Sequence, residues 1–186
     1  MEWFMDQPEP SPFVLRWLPR LYHVLGKFPR ALDVAMGQGR HTSVLAKVGF
    51  QTFGVDCDFL RVAQGKSTLR KGNLTAAVWV ADLEQPTLNG ACFDLILCTR
   101  YLQRTLLPTL VESVTPRGFI VYETFTTAQL KHNWGPRSRE HLLQTGGELR
   151  NAFEGWEKWE YEEVFLPFGE ARLVARKPGV YRSRDR

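Results

Sequence analysis

The decapeptide LDVAMGQGRH, Leu32 to His41, runs an apolar segment with one acid, Asp33, into a turn carrying two glycines, Gly37 and Gly39. The following residues have helical apolar spacing up to Gly49, a natural helix stop. The expected reading is a strand over Ala31–Ala35, a tight loop, and a helix over His41–Val48. Glycine suits such a loop because it turns without steric cost and lets a ligand approach the backbone.

The same alternation continues outward. Upstream, Phe13–Leu25 carries apolar residues at Phe13, Leu15, Trp17, Leu18, Leu21 and Leu25, an amphipathic helix crossed by Pro19. Downstream, strands are expected over Gln51–Val55, Ala76–Ala81, Phe93–Cys98 and Phe119–Thr124, with helices over Leu60–Arg70 and Leu106–Val114. Phe93–Cys98 is nearly all apolar, as central parallel strands are when both faces are covered. Pro116 and Gly118 read as a turn into the following strand. Arg139–Phe153 reads as a last helix loosened or split at Gly146 and Gly147, and Lys158–Phe165 with Ala171–Arg176 as a hairpin closing the sheet. Strand and helix in alternation predict an α/β fold with helices on both sides of a mostly parallel, seven-stranded sheet and an antiparallel C-terminal strand.

With 186 residues, 44% of them hydrophobic, one domain with a sizeable core is expected: a helical cap over 1–29, a core over 30–178 and a basic tail over 179–186. The net charge of +4 owes much to Arg172, Arg176, Lys177, Arg182, Arg184 and Arg186, a pattern that a solvated tail explains as well as a nucleic-acid surface does. Cys57, Cys92 and Cys98 form no metal or redox motif, the N-terminus lacks a signal-peptide pattern, and no apolar run spans a membrane; a cytoplasmic location is expected. His132 and His141 are not spaced as a helical metal pair, and no metal is expected.

The glycine loop also occurs in dinucleotide-binding proteins as G-x-G-x-x-G, but here the third position is Thr42. Asp33, four residues before Gly37, would repel a pyrophosphate and suit a cationic ligand. Asp56 closes the next strand, where an acid accepts hydrogen bonds from ribose hydroxyls.

On these residues the chain resembles the class I methyltransferases that depend on S-adenosylmethionine (SAM), whose motif is acid-x-Gly-x-Gly-x-Gly on a Rossmann-like doubly wound sheet. Here Ala35 stands at the first glycine. The resemblance implies SAM as cofactor, Gly37 and Gly39 as loop glycines with Ala35 and Arg40 beside them, Asp33 at the methionine end, and Asp56 with Cys57 at the ribose. It further implies Asp82 and Leu83 at the adenine, and Cys98 and Thr99 where cofactor and substrate meet. The segment GGELRNAFEGWEKWEYEE, Gly146 to Glu163, and LVARKP, Leu173 to Pro178, look like the end of the small tellurite-resistance and thiopurine methyltransferases.

Candidate substrate-side residues are Arg100, Tyr101 and Arg104, with Glu123, His132, Trp134, Arg137 and Arg139 in the long connection that follows. His132 is a candidate general base, and the arginines could bind an anion by forked hydrogen bonds or make structural ion pairs. His41, at the helix start, is expected to pack or cap. The resulting expectation is methyl transfer to a small molecule on sulfur, oxygen or a metalloid. The alternatives are transfer to RNA or protein, or a SAM-binding module without catalysis. CTRY after the Phe93 strand lacks the Asn/Asp-Pro-Pro-aromatic signature of enzymes that methylate base nitrogens.

Overall fold

A computed structural model describes residues 9–85, 88 and 90–179. The elements, in chain order, are α1 (Pro12–Leu25), β1 (Arg30–Val34), α2 (Arg40–Val48), β2 (Gln51–Asp56), α3 (Phe59–Lys71), β3 (Ala77–Val80), β4 (Phe93–Thr99), α4 (Leu107–Ser113), β5 (Val114–Phe125), α5 (Glu148–Ala152), β6 (Glu157–Val164) and β7 (Glu170–Arg176). The strands form one seven-stranded sheet in the order β3-β2-β1-β4-β5-β7-β6. All neighbouring pairs are parallel except those made by β7, which runs antiparallel to β5 and to β6. This is the Rossmann-like, doubly wound sheet expected from the alternation of strand and helix.

Side-chain alternation on β4 shows why the sheet needs helices on both faces. Leu95 and Leu97 join Phe13, Val14, Leu18, Leu21 and Leu45 under α1 and α2, whereas Ile96 and Cys98 join Leu106, Leu110, Leu149 and Phe153 on the opposite face. Burying a side chain of this size contributes about 1.5–3 kcal/mol before the entropy of ordering it is subtracted. Helix α1 buries Phe13, Val14, Trp17, Leu18 and Leu21 and leaves Leu15 exposed on the opposite side. Its outer edge is tied to β6, because the Trp17 indole N–H and the Arg16 guanidinium both donate to Glu160. Lys177 closes α4 by donating to the carbonyls of Val111 (2.6 Å) and Val114 (2.7 Å), a favourable place for a cation at a helix C-terminus.

Two expected boundaries differ. Pro116 and Gly118 do not interrupt the sheet; they lie in an irregularity within β5, where Val114 pairs with Phe93 and pairing resumes at Phe119 opposite Leu95, with Arg117 at φ 66°. The helix expected over Arg139–Phe153 is reduced to a 3₁₀ turn at Arg139–His141 and the short α5. Between them Leu143 bridges to Thr126, and Gly146 and Gly147 adopt φ 91° and 108°, which no right-handed helix contains. The amides of these two glycines donate to the Glu163 carboxylate, so β6 takes over the hydrogen bonding that a helix would have supplied. Arg182, Arg184 and Arg186 of the basic tail lie outside the described residues.

Candidate functional site

Strand β1 stops at Val34, and the chain then takes left-handed φ angles at alternate residues: Ala35 at 55°, Gly37 at 55° and Gly39 at 78°. The loop is fastened to the end of β2 by two hydrogen bonds, Met36 N–H to the Val55 carbonyl (3.0 Å) and Gly37 N–H to Asp56 Oδ2 (2.7 Å). Met36 drops between β2 and α3. A Cβ placed on Gly54 would stand 2.5 Å from its sulfur, and one on Gly65 would stand 2.7 Å from its terminal methyl. Those two distant glycines therefore make room for the loop.

Beside the loop, a cavity of about 460 Å³ opens at the carboxyl ends of β1, β2 and β4. Sheet order reverses here, since β1 leads outward to β2 while β4 lies on its other side, and α/β proteins bind ligands at such points. Ala35 and Gly37 from the loop, Arg40 from the start of α2, Asp56 from the end of β2 with Cys57 just beyond it, Leu83, and Thr99 from the end of β4 line it together, as do Arg100 and Tyr101.

Asp33, Gly39, Asp82 and Cys98 are not on the cavity wall. The carboxylate of Asp33 is buried beneath the loop and accepts a 2.7 Å hydrogen bond from the Thr42 hydroxyl. Burial pushes its pKa up to about 7, against the lowering influence of Thr42 and Arg40. Gly39 caps α2 and packs on Met36. Cys98 belongs to the core, where burial pushes its thiol up to about 12. Asp82 accepts the Glu84 amide at 2.8 Å within its own turn.

Asp56 is held by the backbone on both oxygens: Oδ2 accepts Gly37 N–H, and Oδ1 accepts Asp58 N–H at 3.0 Å. A carboxylate oxygen accepts more than one hydrogen bond, so each can still receive a donor from the cavity. Asp58 in turn caps α3 by accepting the amides of Leu60 and Arg61. The Tyr101 hydroxyl is pushed up to about 12, first by burial and then by Cys98 and Cys57, which keeps it a donor at neutral pH.

Met36, Gln38, His41, Asp58, Arg61 and Thr68 also line the cavity and were not among the expected site residues. Asp58 and Arg61 had a readable signal, an acid cap at the start of a helix directly after Asp56. His41 had only its place at the start of α2. It is 2% exposed, accepts the Ser11 amide on Nε2 at 2.9 Å and lies 3.1 Å through Nδ1 from the Thr99 hydroxyl. Burial, then Arg40 and Arg100, lower its pKa to about 3.

The substrate-side candidates separate. Arg100 (φ 54°) stands at the strand end with its amide on the Glu123 carbonyl (2.7 Å), its guanidinium over the rings of Phe125 and Phe168, and Glu170 at 3.9 Å. Arg104 clamps Glu148 and the carbonyls of Glu140 and Leu142. Glu123 is buried against Arg172 at 2.8 Å. His132 and Arg137 do not reach the cavity: His132 Nε2–H donates to the Phe165 carbonyl (3.0 Å), and Arg137 donates to the His132 carbonyl (2.8 Å). Their connection folds over the β6–β7 turn and uses these side chains to satisfy one carbonyl of that turn and one of its own. No group of three metal-ligating side chains occurs among the described residues.

Residues 31–117, from β1 into β5, match the family model described as a methyltransferase domain. No curated protein matches the chain in sequence. Among solved structures, TehB from Haemophilus influenzae superposes with a TM-score of 0.71 at 20% identity, covering 86% of this chain and 61% of TehB, so the chain spans about three-fifths of that relative's length. A SAM-dependent methyltransferase from Mesorhizobium loti gives 0.69 at 17% identity over 88% of this chain and 98% of its own. A TehB-like SAM-dependent methyltransferase from Corynebacterium glutamicum gives 0.62 at 21% identity over 86% of each chain. These likenesses establish the Rossmann-like methyltransferase fold, and residues 31–117 of the chain match the model of a methyltransferase domain.

Proposed function

We propose that the cavity beside the glycine loop holds SAM and that a small-molecule acceptor meets it at Thr99, Arg100 and Tyr101, taking the methyl group on sulfur, oxygen or a metalloid. The observation that carries this reading is Asp56, whose carboxylate is fixed by the amides of Gly37 and Asp58 yet lines the cavity with acceptor capacity to spare. The surroundings fit the cofactor. Gly37 has open space where a Cβ would project, with only the Arg61 guanidinium at 3.8 Å, so the backbone there can be approached closely. The cavity volume lies in the range of small-molecule sites.

Bound SAM supplies a methyl group already activated by its sulfonium. The chain's residues then have to position it and exclude water, work that lowers a barrier mainly by orientation. Asp56 and the Gly37 backbone would fix the nucleoside, and Leu83 would cover an apolar face of it. Among the described residues no base faces the acceptor side: Tyr101 is protonated at neutral pH, and both nitrogens of His41 are engaged. Such a wall suits an acceptor that arrives ionised, a thiolate or an oxyanion. Asp33 lies beneath the loop and acts through Thr42 and the loop's shape rather than by contact. The free cysteines fit a reducing compartment such as the cytoplasm.

Transfer from labelled SAM tests the proposal, with thiols, selenium and tellurium oxyanions, phenolic acids and total RNA as acceptors. Product in a small-molecule class supports it; label entering RNA alone overturns it. Asp56→Ala is expected to weaken binding of S-adenosylhomocysteine by about ten-fold or more, the loss for a hydrogen bond to a charged group. Unchanged affinity by calorimetry removes Asp56 from the site.

A further inference from the structure

His41 links three parts of the molecule, and the link determines where a proton sits. The Ser11 amide, at the N-cap of α1, can only donate, so Nε2 of His41 must be the unprotonated nitrogen. The ring is neutral at physiological pH, and its one proton is therefore on Nδ1. Nδ1–H then donates to Thr99 Oγ1 across 3.1 Å. With that oxygen already accepting, the Thr99 hydroxyl hydrogen is directed elsewhere. Among the described residues it meets no protein acceptor, and Thr99 lines the cavity. Two arginines, Arg40 and Arg100, flank the same stretch of wall, and both act electrostatically on His41.

We propose that the Thr99 hydroxyl, oriented by His41, is a hydrogen-bond donor for an anionic oxygen bound in the cavity, and that Arg40 and Arg100 supply the positive field of this subsite. This rests on the reading of the cavity as the SAM site. A threonine next to an unconstrained histidine could accept or donate; here the Ser11 amide removes the choice. His41 is thus a positioning residue, acting through Thr99. The left-handed backbone at Arg100 is consistent with such a role, since strain of this kind is retained where the surroundings impose it.

A carboxylate or oxyanion oxygen at this place has two sources, the α-carboxylate of the cofactor or an anionic group on the acceptor. Calorimetry with S-adenosylhomocysteine and with methylthioadenosine, which has the same nucleoside without the amino-acid carboxylate, distinguishes them. If the cofactor is the source, Thr99→Val lowers affinity for S-adenosylhomocysteine by about ten-fold and leaves methylthioadenosine unchanged, while Thr99→Ser restores the wild-type ratio. If the acceptor is the source, both affinities stay constant, and Thr99→Val raises KM for anionic acceptors but not for neutral analogues.

His41→Asn, which retains an N–H near the Nδ1 position, is expected to preserve more of either effect than His41→Leu; both variants lose the Ser11 contact, so their difference isolates the donor to Thr99. An unchanged affinity ratio with an unchanged KM ratio overturns the proposal, as does equal weakening of both ligands. Where no acceptor is turned over, the affinity ratio alone decides. Wild-type protein that binds neither ligand would instead count against the SAM site itself.

Discussion

Asp33 and Thr42, nine residues apart on either side of the glycine loop, are joined by a 2.7 Å hydrogen bond from the threonine hydroxyl to the buried carboxylate. The two residues that separate this loop from a dinucleotide fingerprint are therefore partners. The side chain that replaces the third glycine satisfies the acid, and the pair closes the base of the loop between β1 and α2.

This burial has a consequence for pH. Asp33 has its native pKa raised from 3.8 to about 7. Between those values the folded state keeps a proton that the unfolded chain has lost, so the Asp33 contribution to stability falls as pH rises through that window and is level above it. Asp33→Asn does not titrate and can still accept from Thr42. The thermal midpoint of the variant minus that of the wild type should rise from pH 4 to pH 7, by several degrees for a penalty on the order of a few kcal/mol. His41, with a lowered pKa, has the opposite slope, but it is present in both proteins and cancels. A difference that stays flat with pH would show that Asp33 is not raised.

Ala35 occupies a left-handed backbone position, φ 55°, where the family motif has glycine. A side chain there costs about 1–2 kcal/mol, of which glycine's greater unfolded-state entropy offsets about 0.5–1. Ala35→Gly should therefore stabilise the protein by up to about 1 kcal/mol, raising the midpoint by about 2–4 °C at most. Gly39→Ala should do the reverse, since its φ is 78° and its Cβ would meet Met36 at 3.2 Å. Thermal unfolding measures both.

What the sequence conveyed reflects how local each determinant is. Strand, loop and helix from Ala31 to Arg70 follow from apolar spacing and glycine stops within a few residues, and the structure reproduces them within one or two positions. The segment 139–153 did not, because the Thr126–Leu143 bridge and the Glu163 carboxylate that replace helical hydrogen bonds come from elsewhere in the chain. The site divides in the same way. Gly37 in the loop after β1, and Asp56 and Thr99 at strand ends, were readable. The covering of Asp33 by Thr42, the orientation of His41 by Ser11, and the turning of His132 toward Phe165 depend on contacts that no local pattern records.

Arg104 fixes the long connection to the start of α4. It makes two bonds to Glu148, at 2.7 and 3.1 Å, and donates to the carbonyls of Glu140 (2.7 Å) and Leu142 (2.9 Å). Glu148 also accepts the Gln144 amide; these bonds outweigh its burial and lower its pKa. Because the pair is partly exposed, screening reduces its worth, and Arg104→Ala should cost about 1–2 kcal/mol. The larger effect should be local. Amides from 140 to 148 should lose protection in hydrogen exchange while those of β1 and β2 retain theirs.

Gln129 should separate acceptor recognition from cofactor binding. It is fully buried, donates through Nε2 to the Trp134 carbonyl (2.8 Å) and accepts the Gly169 amide on Oε1 (2.9 Å), joining the connection after β5 to the turn before β7. Phe168 in that turn packs edge-on to Trp134 and lies under the Arg100 guanidinium. Gln129→Ala leaves two buried backbone groups unpaired, at about 1–3 kcal/mol each, and removes the tie that holds Phe168 against Arg100. Asp56 and the glycine loop make no contact with this tie. Where the anionic oxygen at Thr99 belongs to the acceptor, the variant should bind S-adenosylhomocysteine with wild-type affinity and show a raised KM for the acceptor, together with a midpoint lowered by roughly 5–15 °C. If cofactor affinity falls as far as acceptor KM rises, the connection would be supporting the whole cavity, and Arg100 would lose its distinct place on the acceptor side.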